Sequence, residues 1–137
     1  NLTWFARGPH ESYDDRKESA YVGIYKGTVS KQFFSHIMPQ ENGNKTDNRW
    51  LEIYDDSGNG IRITGKPLFN FNIQNYSDKD LNRSKKEHTL IRGEKNWLHI
   101  DYKQMGLGGD DSWSPRVHKE FWLKNKVYHY TYVLRPL

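Results

Sequence analysis

The sequence predicts an all-β fold: an antiparallel β-sandwich of about seven or eight strands with one short helix. Three observations carry this. Apolar and polar residues alternate with a period of two over most of the chain. Clusters of Asp, Asn, Ser and Gly punctuate the alternating runs. Only one stretch has the capping pattern of a helix.

In chain order, Tyr21–Lys26 and Gln32–Ile37 are the first strands expected. Trp50–Tyr54 and Ile61–Thr64 form a hairpin, because Asp55-Asp56-Ser57-Gly58-Asn59-Gly60 between them is a dense turn cluster. In Leu68–Ile73, Phe69, Phe71 and Ile73 occupy one face, with Asn70 and Asn72 opposite. Ser77-Asp78-Lys79-Asp80-Leu81 offers an N-cap serine with an acid three residues on, and the helical pattern ends near Lys86. Strands follow at Trp97–Lys103 and Val117–Leu123. Lys124-Asn125-Lys126 then leads into a last strand in which Tyr128, Tyr130, Tyr132 and Leu134 alternate. No repeat, low-complexity stretch or linker divides residues 1–137, so a single domain is expected.

Composition bounds the chemistry. A chain of 137 residues fits one domain and leaves no room for a catalytic barrel of about 250 residues. Twenty-one Lys and Arg against seventeen Asp and Glu give a net charge of +4. That excess is small and its charges alternate in sign, which argues against nucleic-acid binding. Leu, Ile, Val and Phe total only 29 residues, so the five Trp and nine Tyr must supply much of the buried area. Cysteine is absent, excluding disulfides, thiolate zinc sites and thiol nucleophiles. No apolar run is long enough to span a membrane as a helix. The opening Asn1-Leu2-Thr3-Trp4 reads as mid-chain sequence, so a piece of a longer protein is expected.

Three polar segments are candidates for function. Met105-Gly106-Leu107-Gly108-Gly109-Asp110-Asp111-Ser112-Trp113-Ser114-Pro115 lies between two expected strands. It lacks the Lys-Ser/Thr and the following helix of a phosphate loop, and the ligand spacing of a calcium loop. A glycine-rich connection whose Asp side chains cap their own turns fits it. So does a sugar platform, in which Trp113 stacks on a hexose and Asp110, Asp111 and Ser112 accept or shape hydroxyl contacts. Arg7-Gly8-Pro9-His10-Glu11-Ser12-Tyr13-Asp14-Asp15-Arg16 places His10 beside Glu11, the residue types of an acid–base pair. Its balanced charges also suit an ion-pair cluster in which Arg7 and Arg16 tie down a loop. In Pro39-Gln40-Glu41-Asn42-Gly43, Asn42-Gly43 signals a turn, and Glu41 is placed to pair with Arg49 or to reach the first cluster. The six histidines show no metal-ligand spacing.

Taken together, these segments resemble one family. Arg7-Gly8-Pro9-His10-Glu11 with Tyr13 and Asp15-Arg16 comes first. Pro39-Gln40-Glu41-Asn42-Gly43 with Arg49-Trp50 follows, then Met105-Gly106 and Gly108-Gly109-Asp110-Asp111-Ser112-Trp113 with Pro115, and last the closing Tyr128-His129-Tyr130. In this order they resemble the C-terminal domain of bacterial LacZ-type β-galactosidases of glycoside hydrolase family 2. Ala6, Ser12, Asp14, Met38 and Lys45 stand where Gly, Asn, Pro, Phe and Arg are common, the pattern of a divergent member.

The resemblance implies a galactose-mutarotase-like sandwich, of which these residues would cover the C-terminal half. It also implies a parent enzyme that hydrolyses terminal β-D-galactosides such as lactose with retention, using two glutamates of a separate barrel domain. The parent's Mg²⁺ and Na⁺ would sit in that barrel, leaving no cofactor, metal or catalytic residue on this chain. Trp113 would reach into the sugar site. The partners implied are a β-galactoside, the remaining domains of the parent and further copies in a homo-oligomer, in the bacterial cytoplasm or periplasm. No nucleic-acid or membrane partner is expected. Rival readings are a stand-alone carbohydrate-binding module, a mutarotase-like epimerase using His10 and Glu11, and a single-strand nucleic-acid binder. Half a sandwich leaves bare strand edges, so the isolated chain is expected to dimerise or exchange strands.

Overall fold

A computed structural model describes residues 1–137. The architecture is all-β, antiparallel and sandwich-like, with one short helix, as the periodicity predicts. Six strands form it: β1 (Leu2–Gly8), β2 (Tyr21–Gly27), β3 (Lys45–Tyr54), β4 (Gly60–Gln74), β5 (Trp97–Asp101) and β6 (Thr131–Pro136). The sheet runs β2-β1-β3-β4-β5, and β6 also pairs with β4. Residues Ile61–Lys66 of β4 pair with β6 and Asn70–Gln74 pair with β5. Strands β6 and β5 therefore follow one another along one side of β4, while β3 occupies the other.

Leu2, Trp4 and Ala6 of β1, Leu51 of β3, and Ile63, Phe69, Phe71 and Ile73 of β4 make one buried cluster, joined by Val29. The alternation read in Leu68–Ile73 is thus a core face, but its polar face is buried too. Asn70, Asn72 and Gln74 are all inaccessible, and Asn72 Nδ2 donates to Glu41. The Asp55–Gly60 turn behaves as expected: Asp55 Oδ1 accepts from the backbone N–H of Ser57 at 2.8 Å and of Asn59 at 2.9 Å. Helix α1 (Asp78–Arg83) opens on the capping box at Ser77 and Asp80.

The structure departs from expectation at five places. Strand β1 is masked in the sequence because Phe5 interrupts the alternation of Leu2, Trp4 and Ala6; those three face the core, while Phe5 and Arg7 on the opposite face are half-buried. Gln32–Ile37 is not a strand. Its would-be ladder partner is the Asn42 side chain, which accepts from the Phe34 N–H and donates to the Phe34 carbonyl, both at 2.8 Å. Val117–Leu123 is not a strand either, since a 3₁₀ turn at Lys119–Phe121 closes its backbone groups locally. Ile61–Thr64 and Leu68–Ile73 are one strand rather than two, continuing through Pro67, where neither neighbouring strand makes a ladder pair. The last strand starts at Thr131, and Tyr128 and Tyr130 lie just before it. Their rings join Tyr102 and Tyr132, with Tyr102 stacked on Tyr130 at 5.6 Å.

Candidate functional site

The glycine-rich segment after β5 is a loop built from its own backbone and anchored from afar. Asp111 Oδ1 accepts from the N–H of Trp113 at 3.0 Å and of Ser114 at 2.7 Å, an Asx turn that fixes the tryptophan backbone. Asp110 pairs with His118 Nε2 on the returning arm, and this contact raises the His118 pKa above its ordinary value. Ser112 is exposed. At the base, Gly106 N–H donates to the Phe121 carbonyl at 3.1 Å.

Gly108 is held on both sides: its N–H donates to Asp15 Oδ2 at 2.8 Å, and its carbonyl accepts from the Arg16 guanidinium. Burial acts to raise the Asp15 pKa. The Gly108 and Leu107 N–H groups, with Arg16 beside them, outweigh it and hold the carboxyl below its usual range. Gly108 has φ +68°, and a Cβ there would stand 2.3 Å from the Arg116 carbonyl oxygen, so only glycine fits.

Trp113 is 85% exposed. It lines a cleft of about 1160 Å³ with Asp110, Asp111, His118, Met105 and Trp122. An indole so exposed on a fixed backbone can stack on the apolar face of a ring, and the neighbouring carboxylates can accept hydroxyl hydrogens.

The other predicted residues lie elsewhere. His10 and Glu11 do not act together: His10 Nε2 meets Ser19 Oγ at 3.3 Å, while Glu11 Oε2 accepts from Gly43 N–H at 2.8 Å and Tyr13 Oη at 3.2 Å. Arg7 ties a loop down, but its acid partner comes from β3 and not from its own charged segment. Its Nε donates to Asp47 Oδ2 at 2.7 Å and its Nη1 to the carbonyls of Lys17 and Ala20. Glu41 and Arg49 do not pair. Glu41 accepts from Asn72 and lies 3.5 Å from His99 Nδ1. Arg49 donates to the Asp47 carbonyl at 2.6 Å with its guanidinium over the Phe5 ring. Asn42 is a backbone clamp on Phe34, as described for the fold.

Sequence reasoning missed four residues. Asp15 and Arg16 pair with each other at 3.5 Å, as their local charges imply, but both also hold Gly108 across the fold, which no local pattern reveals. Trp122 falls within the expected Val117–Leu123 strand, but its side chain lines the cleft. Lys45 shows in the sequence only as a residue standing where Arg is common. It is fully buried, its Nζ donates to the Gly43 carbonyl at 2.8 Å, and it lies 5.7 Å from the Trp4 ring centroid. Burial pushes its pKa down to about 8, with Glu11 opposing.

Fold and cleft together define an all-β domain that presents an anchored aromatic loop. More particularly, the chain belongs to the beta galactosidase small chain family, whose model matches residues 1–134. It is 42% identical over its whole length to a beta-galactosidase of Priestia megaterium, covering 13% of that protein. Against a beta-galactosidase of Vibrio cholerae it is 41% identical over 98% of the chain and 12% of the relative. With a beta-galactosidase of Streptococcus thermophilus it shares 34% identity over its whole length and 14% of the relative. The chain thus spans about one-eighth of the length of these curated relatives.

Proposed function

We propose that these residues are the C-terminal, galactose-mutarotase-like part of a glycoside hydrolase family 2 β-galactosidase. In that role the loop carrying Trp113 completes the sugar site of the parent enzyme. The relatives' name and the order of the three motifs support the parent activity. Bond cleavage belongs to two glutamates of a barrel domain outside this chain, which also holds the Mg²⁺ and Na⁺. The chain's own part is to present an indole, with Asp110, Asp111 and Ser112 shaping its loop.

The observation that carries the reading is Trp113 itself. It is almost fully exposed, yet its backbone is pinned by Asp111 and the loop base by Asp15 and Arg16. Anchoring an exposed aromatic reduces the ordering cost when a ring stacks on it. Alone, the chain binds a galactoside weakly and cleaves nothing, because one stacking contact in water supports only millimolar affinity or worse. The test is Trp113→Ala in the full-length enzyme. Affinity for a β-galactoside substrate is expected to fall by about tenfold, with Trp113→Phe recovering part of it. Unchanged substrate affinity in Trp113→Ala would overturn the reading.

A further inference from the structure

Trp122 lines the same cleft as Trp113 and is half exposed, at 51%. Its ring is fixed in place: the indole Nε1 donates to the Val117 carbonyl at 2.8 Å, which satisfies its one polar atom and leaves the ring faces free of hydrogen bonding. Met105 and Val117 continue the apolar lining, while Ser114, Arg116 and Lys119 add hydrogen-bond donors. The cleft, at about 1160 Å³, exceeds the 300–1,000 Å³ or so typical of a pocket for one small ligand. It therefore has room for more than a single ring.

The two indoles stand on different parts of the chain's path around the cleft. Trp113 is on the glycine-rich arm, and Trp122 follows the 3₁₀ turn on the returning arm. The pair between Asp110 and His118 bridges these arms.

We propose that Trp122 is a second aromatic wall of the cleft, which stacks on a ring-bearing aglycone of the galactoside while Trp113 takes the galactose. The assignment rests on the role proposed for Trp113. It makes Trp122 a specificity-determining residue: a disaccharide such as lactose gains a contact there that methyl β-galactoside lacks.

The experiment compares kcat/KM for lactose with kcat/KM for methyl β-galactoside in the full-length enzyme. In Trp122→Ala the lactose-to-methyl ratio is expected to fall by about five- to tenfold. Trp122→Phe, which keeps a stacking ring and spares the fold, should restore most of it. An unchanged ratio in Trp122→Ala, alongside impaired activity in Trp113→Ala, would overturn the Trp122 assignment alone. Unchanged kinetics in both variants would overturn the Trp113 reading together with it. A ratio that falls equally in Trp122→Phe and Trp122→Ala would show that the ring is not the determinant, and would also sink the proposal.

Discussion

Asp15 and Gly108, 93 positions apart, are joined by a 2.8 Å hydrogen bond from the glycine N–H to the aspartate carboxylate. The bond ties the turn after β1 to the base of the tryptophan loop. Hydrogen bonds to charged groups contribute about 1.5–3 kcal/mol. Asp15→Ala should therefore free the loop, seen as faster amide hydrogen exchange at Gly108 and Leu107 with the strands still protected. The pH dependence follows from the depressed carboxyl pKa. This stabilisation is complete above the ordinary value of 3.8 and is lost as pH falls through the lower folded value. Exchange at Gly108 that is the same in both proteins at pH 6 would contradict the anchor.

The two loop glycines with positive φ separate a steric requirement from a conformational one. At Gly108 a Cβ would meet the carbonyl oxygens of Arg116 at 2.3 Å and Pro115 at 2.6 Å; at Gly109, with φ +80°, it would meet nothing within 4 Å. Gly109→Ala bears only the left-handed backbone cost of about 1–2 kcal/mol. Gly108→Ala adds a backbone clash, and its loss in an unfolding titration should clearly exceed that of Gly109→Ala. Equal losses would mean the loop shifts freely.

Lys45 gives the fold an unusual alkaline response. Its folded pKa of about 8 lies below the ordinary 10.5. Below pH 8 both folded and unfolded lysines are charged, and the fold bears the full burial penalty, on the order of 3 kcal/mol. As pH rises from about 8 towards 10.5 the folded lysine is neutral first, so stability from this group increases. Above about pH 10 the opposite trend takes over. Burial raises the Tyr13 and Tyr132 pKa values, the latter to about 12, so the unfolded tyrosines ionise first and stability falls. Urea unfolding at pH 7.5 and 9.5 should show the gain in the native protein and little of it in Lys45→Met. Identical pH slopes in the two proteins would remove Lys45 from this account.

What was legible in the sequence was whatever obeys a local rule. The capping box at Ser77, the Asp55–Gly60 turn and the alternation of Phe69, Phe71 and Ile73 each depend on residues within a few positions. The loop glycines and the tryptophan were legible for the same reason. Features decided by distant partners were not. Strand β1 is masked by Phe5, which packs on Trp50 of the neighbouring strand and interrupts the alternation of Leu2, Trp4 and Ala6, and Phe34 lost its strand because a side-chain amide took the partner's place. Glu41 is placed in sequence to pair with Arg49 or to reach the Arg7–Arg16 segment, yet it settles beside Asn72 and His99, residues that only the pairing of β4 with β5 brings near. Charge patterns show that an acid needs a partner; they do not say which strand supplies it.

Self-association of the isolated chain follows from its edges. Strand β2 pairs only with β1, and β6 pairs only with β4, so each presents an unpaired row of backbone groups. These edges carry apolar side chains in solvent, among them Tyr21 and Ile24 on β2 and Val133 and Leu134 on β6. Natural edges are usually blunted by charge, and Lys26 and Arg135 are the only ionic residues on these two strands. The isolated 137-residue chain should therefore dimerise or exchange strands as its concentration rises, read as a growing mass in light scattering. Ile24→Lys with Leu134→Lys puts a charge on each edge without touching the core cluster, and should return the chain to a monomer. A native chain that stays monomeric at high concentration would show that these edges are protected by something other than pairing.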